Sequence, residues 1–204
     1  MKILKIIGIA ILSLLLIAVI AVSVMSPSAH MERSIVVNAP PAAVFQQLAS
    51  FENFNKWSPW AKMDPEAKQV IEGPEVGIGA KMSWDGPETG KGSQWTVEYE
   101  ENKRVKNAMA FDGMEGQIFA EFVLEEVPEG TKVVWTYDSD VSETGYGNAS
   151  MTKLFNAFVL EGMLGKQYEE GLASLKQIVE STPTPEPALT EEVPAVEEED
   201  TNNE

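Results

Sequence analysis

From Met82 to Tyr137, inward and outward residues alternate one for one through successive runs: Met82 and Trp84; Trp95, Val97 and Tyr99; Val105, Asn107, Met109 and Phe111; Ile118, Ala120, Phe122 and Leu124; Val133, Trp135 and Tyr137. Side chains on a strand point alternately to opposite faces, so a period of two calls for strands with one face on a core and the other in water. The intervening positions agree, with Lys81, Ser83 and Asp85, then Thr96, Glu98 and Glu100, then Lys132, Thr136 and Asp138. Breaks at Gly86-Pro87, Gly90, Asn102-Lys103, Gly113, Gly116 and Glu129-Gly130 have hairpin length. Together they predict an antiparallel sheet of about six strands beginning near Gln69.

The flanks of this block read differently. Glu32 to Asn38 carries Ile35, Val36 and Val37 and reads as a strand, closed by Ala39-Pro40-Pro41. Pro41 suits the first turn of a helix, where no N–H is needed, and Val44, Phe45 and Leu48 follow at helical spacing. Phe51, Phe54 and Trp57 mark a second short amphipathic segment. From Met151 to Glu180, one stripe holds Leu154, Phe158, Glu161, Leu164, Tyr168, Leu172, Leu175 and Val179. That predicts a single long helix, with Gly162 and Gly165 as the place to bend. Strand, two helices, antiparallel strands and a long closing helix make an α+β fold in which a curved sheet wraps the last helix.

Outside this domain, taken as residues 32–180, the composition changes twice. Residues 6–25 carry no charge and follow Lys2 and Lys5. The run is long enough to span a bilayer and exceeds the apolar region of about 7–15 residues usual in a cleaved signal. A retained single-pass anchor over 1–25 is therefore expected. Ala21 and Ser23 keep the alternative of cleavage and secretion open. The basic N-terminal flank would leave the N-terminus in the cytoplasm and the domain on the extracytoplasmic side of a bacterial cytoplasmic membrane. Residues 181–204 hold Pro183, Pro185, Pro187, Pro194 and eight acidic residues. With so little apolar surface to bury, this segment is expected to be a disordered acidic tail.

With no cysteine and a single histidine, His30, the 204-residue chain leaves no material for disulfides, thiolate metal sites, cysteine nucleophiles or a histidine-based triad in the domain. A formal charge of −17 has the wrong sign for phosphate backbones, so no nucleic-acid partner is expected. Asp112-Gly113-Met114-Glu115 lacks the alternating ligands of a calcium loop, and Gly77-Ile78-Gly79 lacks the third glycine of a dinucleotide site. No metal or cofactor is expected.

Specific residues carry a family resemblance over residues 32–180. Asn38-Ala39-Pro40 before Val44-Phe45, the Trp57-Ser58-Pro59-Trp60 cluster, Val76-Gly77-Ile78-Gly79, Gly130-Thr131-Lys132-Val133-Val134-Trp135, and Tyr168 to Lys176 stand in an order that resembles the START-like (SRPBCC) superfamily. Within it they resemble the bacterial polyketide cyclase/dehydrase-type proteins with the helix-grip fold. The resemblance implies a deep apolar cavity between the sheet and the last helix, used by members for lipids and other hydrophobic molecules and only sometimes for chemistry.

The expected lining is Met82, Trp84, Trp95, Asn107, Met109, Phe111, Phe122, Trp135, Tyr137, Phe158 and Glu161. Glu161 is the leading catalytic candidate, since burial between Phe158 and Leu164 would raise its pKa; Tyr137 and Tyr168 could each present a hydroxyl to a ligand, a tyrosine being the other acid/base candidate, and Asn107 is a hydrogen-bonding handle. The expected function is binding of a hydrophobic small molecule or lipid by a membrane-tethered, non-catalytic domain. A cyclase or dehydratase acting on a hydrophobic cyclic substrate is the second reading. The third is an interaction module with a filled core.

Overall fold

The computed structural model describes residues 2–182, so nearly all of the acidic tail expected over 181–204 lies outside the described residues. Helix α1 (Lys2–Val24) has no buried residue and a mean hydropathy of 3.0 over its most apolar window. Its 23 residues extend about 34 Å, which is long and apolar enough to cross a membrane. Strand β1 (Ser28–Val37) follows, then α2 (Pro41–Ala49), α3 (Phe51–Trp57) and α4 (Pro59–Met63). Six further strands come next: β2 (Lys68–Glu72), β3 (Lys81–Gly86), β4 (Gly90–Glu100), β5 (Arg104–Phe111), β6 (Gln117–Val127) and β7 (Gly130–Asp140). The chain closes with α5 (Tyr146–Phe158), a π-helical turn (Leu160–Leu164) and α6 (Gly165–Ser181).

All seven strands form one antiparallel sheet in the order β1-β7-β6-β5-β4-β3-β2. Consecutive hairpins build β2 to β7, and β1 returns to pair along the free edge of β7, from Ser28 opposite Asp140 to Val37 opposite Thr131. The first strand starts at Ser28, four residues before the position read from the sequence. One sheet face is covered by α2, α3, α4 and α6, and the core lies between.

The corner after β1 shows why the local sequence folds as it does. Pro40 caps α2 with extended backbone and a proline occupies the first turn, while Val44, Phe45, Leu48 and Ala49 turn inward. The buried Thr131 hydroxyl donates to the Ala39 carbonyl at 2.7 Å, and the Asn38 N–H donates to the Glu180 carboxylate at 2.7 Å. Gly130 has φ +129°, and a Cβ there would overlap the Val37 carbonyl, so the β6–β7 turn can touch this corner only through glycine.

The expected single C-terminal helix is divided. At the π turn the Leu164 N–H reaches back five residues to the Val159 carbonyl, which inserts one residue into the helical repeat. The stripe Tyr168, Leu172, Leu175 and Val179 is buried in α6, but upstream the inward positions move to Ala149, Thr152 and Leu160. Phe158, expected on the buried stripe, is 74% exposed for this reason.

An aromatic cluster joins helices to sheet. The Tyr168 ring stacks on Trp135 with centroids 3.8 Å apart and planes 15° from parallel. Trp57 meets Phe54, Phe122 and Trp135 edge to face, and its indole N–H donates to the Gln47 carbonyl at 3.0 Å. Trp57 is completely buried, so Trp57→Ala is expected to cost about 3–5 kcal/mol. Urea unfolding of the full chain in detergent, followed by near-ultraviolet circular dichroism, measures the cost. A loss under about 1 kcal/mol would mean the cluster is not well packed.

Candidate functional site

The core does not fill the sheet's covered face. Between β3–β7 and the elements α3, α4, the π turn and α6 lies a mainly apolar cavity of about 290 Å³. That is at the lower end of the volumes that hold small molecules, about 300–1,000 Å³. Met82, Trp84, Asn107, Met109, Phe111, Phe122, Trp135 and Tyr137, all expected at the cavity, line it. At one end Trp84 meets Phe111 edge to face at 5.6 Å, and at the other stand Trp60, Trp135 and Tyr168. Trp84 lies over Gly92, its partner on β4; any side chain there would collide with the indole, so this glycine lets the ring lie flat on the sheet. Met63 and Met163 are half-exposed at the opening, and the Gln167 amide reaches the Met63 sulfur at 3.9 Å. Flexible thioethers of this kind adapt to ligands of different shape.

Three expected residues are elsewhere. Trp95 is absent from the lining, because β4 carries Gln94 and Thr96 inward. The strand shifts register between Thr96 and Glu98, so the residues before Val97 are in opposite phase to Tyr99, which packs inward on Phe45. Phe158 points outward, as described. Glu161 also lies outside the cavity: its side chain is 68% exposed and accepts a hydrogen bond at 2.7 Å from Arg33. Arg33, on β1, also donates to Glu169 at 2.9 Å and so ties the π turn and α6 to the sheet edge. The hydrogen bond to the Glu161 carboxylate, supported by Glu169, holds the guanidinium above its ordinary pKa.

Sequence reading missed Gln94, Thr96 and Arg33. Gln94-Trp95-Thr96-Val97 fits either phase of a strand, and the bulky indole made the wrong phase attractive. Nothing local marks a register shift. Trp60, Met63, Met163 and Gln167 were also missed, since tertiary packing alone brings them to the opening.

Electrostatically the cavity is nearly bare. Among the described residues Glu88, at the rim, is the only charged one in the lining, and no Lys, Arg or His lines it. His30 lies outside, where its ring is 2.7 Å from Asp138 across β1 and β7. Two phenols enter the cavity. The Tyr137 hydroxyl is 3.4 Å from the Asn156 side-chain oxygen, and the Tyr168 hydroxyl 3.4 Å from the Thr136 carbonyl. Burial pushes both phenols up, Tyr168 far beyond the usual range, so both stay protonated near neutrality and can donate hydrogen bonds but not act as bases. Among the described residues no group of three His, Cys, Asp or Glu side chains could hold a metal ion.

The buried Asp64 shapes the rim. Its carboxylate accepts from the Glu88 N–H at 2.9 Å and from the Thr89 N–H and hydroxyl, each at 2.8 Å. Burial opposes ionisation, but these hydrogen bonds outweigh it and hold the carboxyl below its ordinary 3.8. A lowered folded pKa means the stabilisation is complete above the unfolded value and is lost as pH falls through the folded one. Exchange of the Glu88 and Thr89 amide hydrogens, normalised for intrinsic rate, is expected to accelerate as pH drops below 3.8. Asp64→Asn should accelerate it about tenfold near neutrality and remove the acid dependence. Equal protection in both chains would refute this role for Asp64.

A protein-family model described as polyketide cyclase / dehydrase and lipid transport matches residues 28–180. No match was found among curated proteins. Among solved structures, a protein from Nitrosospira multiformis is 20% identical over 75% of this chain and 97% of its own, with a TM-score of 0.53. The Aha1 dimer from Colwellia psychrerythraea gives the same figures. A protein from Rhizobium leguminosarum is 17% identical over 75% of this chain and 95% of its own, with a TM-score of 0.54. At such identities the likeness shows the fold alone, the helix grip of a curved antiparallel sheet around a C-terminal helix.

Proposed function

The chain belongs to the polyketide cyclase/dehydrase and lipid transport family, and on that premise we propose that its domain binds a hydrophobic small molecule or lipid without transforming it, while α1 tethers it to the bacterial cytoplasmic membrane. The observation that carries this reading is the cavity of about 290 Å³, walled by aromatic and methionine side chains in a core otherwise tightly packed. A filled interaction module would not keep such a space.

Against catalysis stands the character of the lining. General acid–base chemistry needs groups able to exchange protons near the working pH. The two phenols are moved away from that range, and Glu161, the candidate from the sequence, is outside the cavity and paired with Arg33.

For the tether, the chain between α1 and the sheet counts most. From Val24 to Ser28 it can extend at most about 14 Å, so the edge where β1 starts stays close to the end of α1. The Val141 N–H donates to the Pro27 carbonyl at 3.0 Å, and α1 touches α5. On α5 the exposed Met151, Leu154 and Phe158 lie three and four residues apart, an apolar stripe suited to a lipid surface beside the anchor. With Lys2 and Lys5 inside, the domain would stand on the extracytoplasmic side.

Native mass spectrometry of the full chain purified from its own membranes tests the binding reading. A copurified hydrophobic species is expected at near one per chain. Ala120, buried at the cavity wall, offers the control: Ala120→Phe should empty the chain while changing Tm by only a few degrees, because the ring enters space already present. An empty wild-type chain, or equal occupancy in Ala120→Phe, would overturn the reading. Resistance of the chain to alkaline carbonate extraction tests the tether, and release of a chain lacking residues 1–25 would identify a cleaved signal instead.

A further inference from the structure

Within the apolar wall, β4 and β5 contribute a small polar floor. Gln94 and Asn107 line the cavity and are 6% and 4% exposed. The buried Thr96 hydroxyl donates to the Asn107 side-chain oxygen at 2.9 Å, which turns the Asn107 NH₂ away from Thr96. No residue among those described partners that NH₂, and none partners the Gln94 amide. Thr96 and Asn107 pair directly across the strands, with Gln94 two residues along on the same face. Buried amide groups normally find partners in the protein, and the Gln94 amide and the Asn107 NH₂, unpartnered among the described residues, mark a place for a ligand's polar atom.

The register shift beyond Thr96 maintains this arrangement. With the phase of Tyr99 carried back along the strand, Trp95 would turn inward in place of Gln94 and Thr96. Bulges re-aim side chains in this way beside functional sites. The surroundings define the complementary ligand further. Among the described residues no cation lines the cavity, Glu88 stands at its rim, and the chain carries a formal charge of −17. A carboxylate or phosphate inside would lose its hydration without gaining a counter-charge.

We infer that the cavity selects an uncharged, largely apolar ligand bearing a neutral oxygen function, a ketone, ester or alcohol, which the Gln94 amide and the Asn107 NH₂ hold by hydrogen bonds. This rests on the ligand-binding reading above and narrows it: ionised fatty acids and bare hydrocarbons are poor ligands. The Thr96 hydroxyl is a positioning group, because it acts by orienting Asn107.

Competition among three probes of equal chain length tests the inference. The full chain, delipidated and placed in nanodiscs at pH 8, is offered equimolar 2-dodecanone, laurate and dodecane. Ligand retained after affinity capture is quantified by gas chromatography, with Ala120→Phe supplying the background from partition into the disc. The ketone is expected at least tenfold above laurate and dodecane. Gln94→Leu, which leaves the Thr96–Asn107 bond intact, should lower that preference at least threefold. The further change Asn107→Leu should abolish it while dodecane retention stays unchanged.

Equal retention of all three probes, preferred retention of laurate, or a preference that survives both substitutions would overturn the inference and leave the cavity reading standing. Retention of none above the Ala120→Phe background would overturn both. As a readout independent of affinity, the side-chain amide proton resonances of Gln94 and Asn107 should move on adding the ketone and not the alkane. Unmoved resonances with the ketone bound would place its oxygen elsewhere and refute the inference.

Discussion

The stack of Tyr168 on Trp135 is the contact on which the remaining architecture depends. One ring belongs to α6 and the other to β7, and their centroid distance of 3.8 Å brings helix and sheet as close as two aromatic planes allow. Trp57 and Phe122 brace Trp135 from other directions, so α3, β6, β7 and α6 meet in one rigid cluster. Because these large rings occupy one end of the space under the sheet, the chain can leave the middle open without the helix collapsing onto it. The cavity is the region beside a very firm contact.

The π turn and the β4 bulge act alike on the two sides of that cavity. Each inserts a residue into a regular repeat and rotates everything on one side of it. In the C-terminal helix the insertion exposes Phe158 and turns Leu160 inward, while Arg33 fastens the turn through Glu161 and Glu169. In β4 it exchanges an indole for Gln94 and Thr96. Both irregularities stand where a perfectly regular element would have filled the cavity with hydrophobic bulk.

These two places are also where the sequence was least legible. Strand number, hairpin positions, the Pro40-Pro41 helix start and the inward stripe from Tyr168 to Val179 follow from strict periodicity, since burying one face imposes the repeat on every residue of the element. A single inserted residue changes no composition and leaves short apolar runs on both sides that fit either phase. Glu161 falls on the buried stripe only if the helix is continuous, and Trp95 falls inside only if the strand is regular.

Taken by itself, the sequence determined the α+β order of elements, the antiparallel sheet and the closing helix through local periodicity and turn chemistry, the apolar N-terminal segment through composition, and the family through the resemblance of its motifs. Tertiary structure decided which residues face the cavity, that among the described residues Glu88 at the rim is its only charge, and that the Gln94 amide and the Asn107 NH₂ within it have no partner among those residues. The physical reason is one of range. A residue's facing is inherited along its element from the nearest packing contact, and a bulge or π turn resets that inheritance at a point that only the opposing strand or helix can specify.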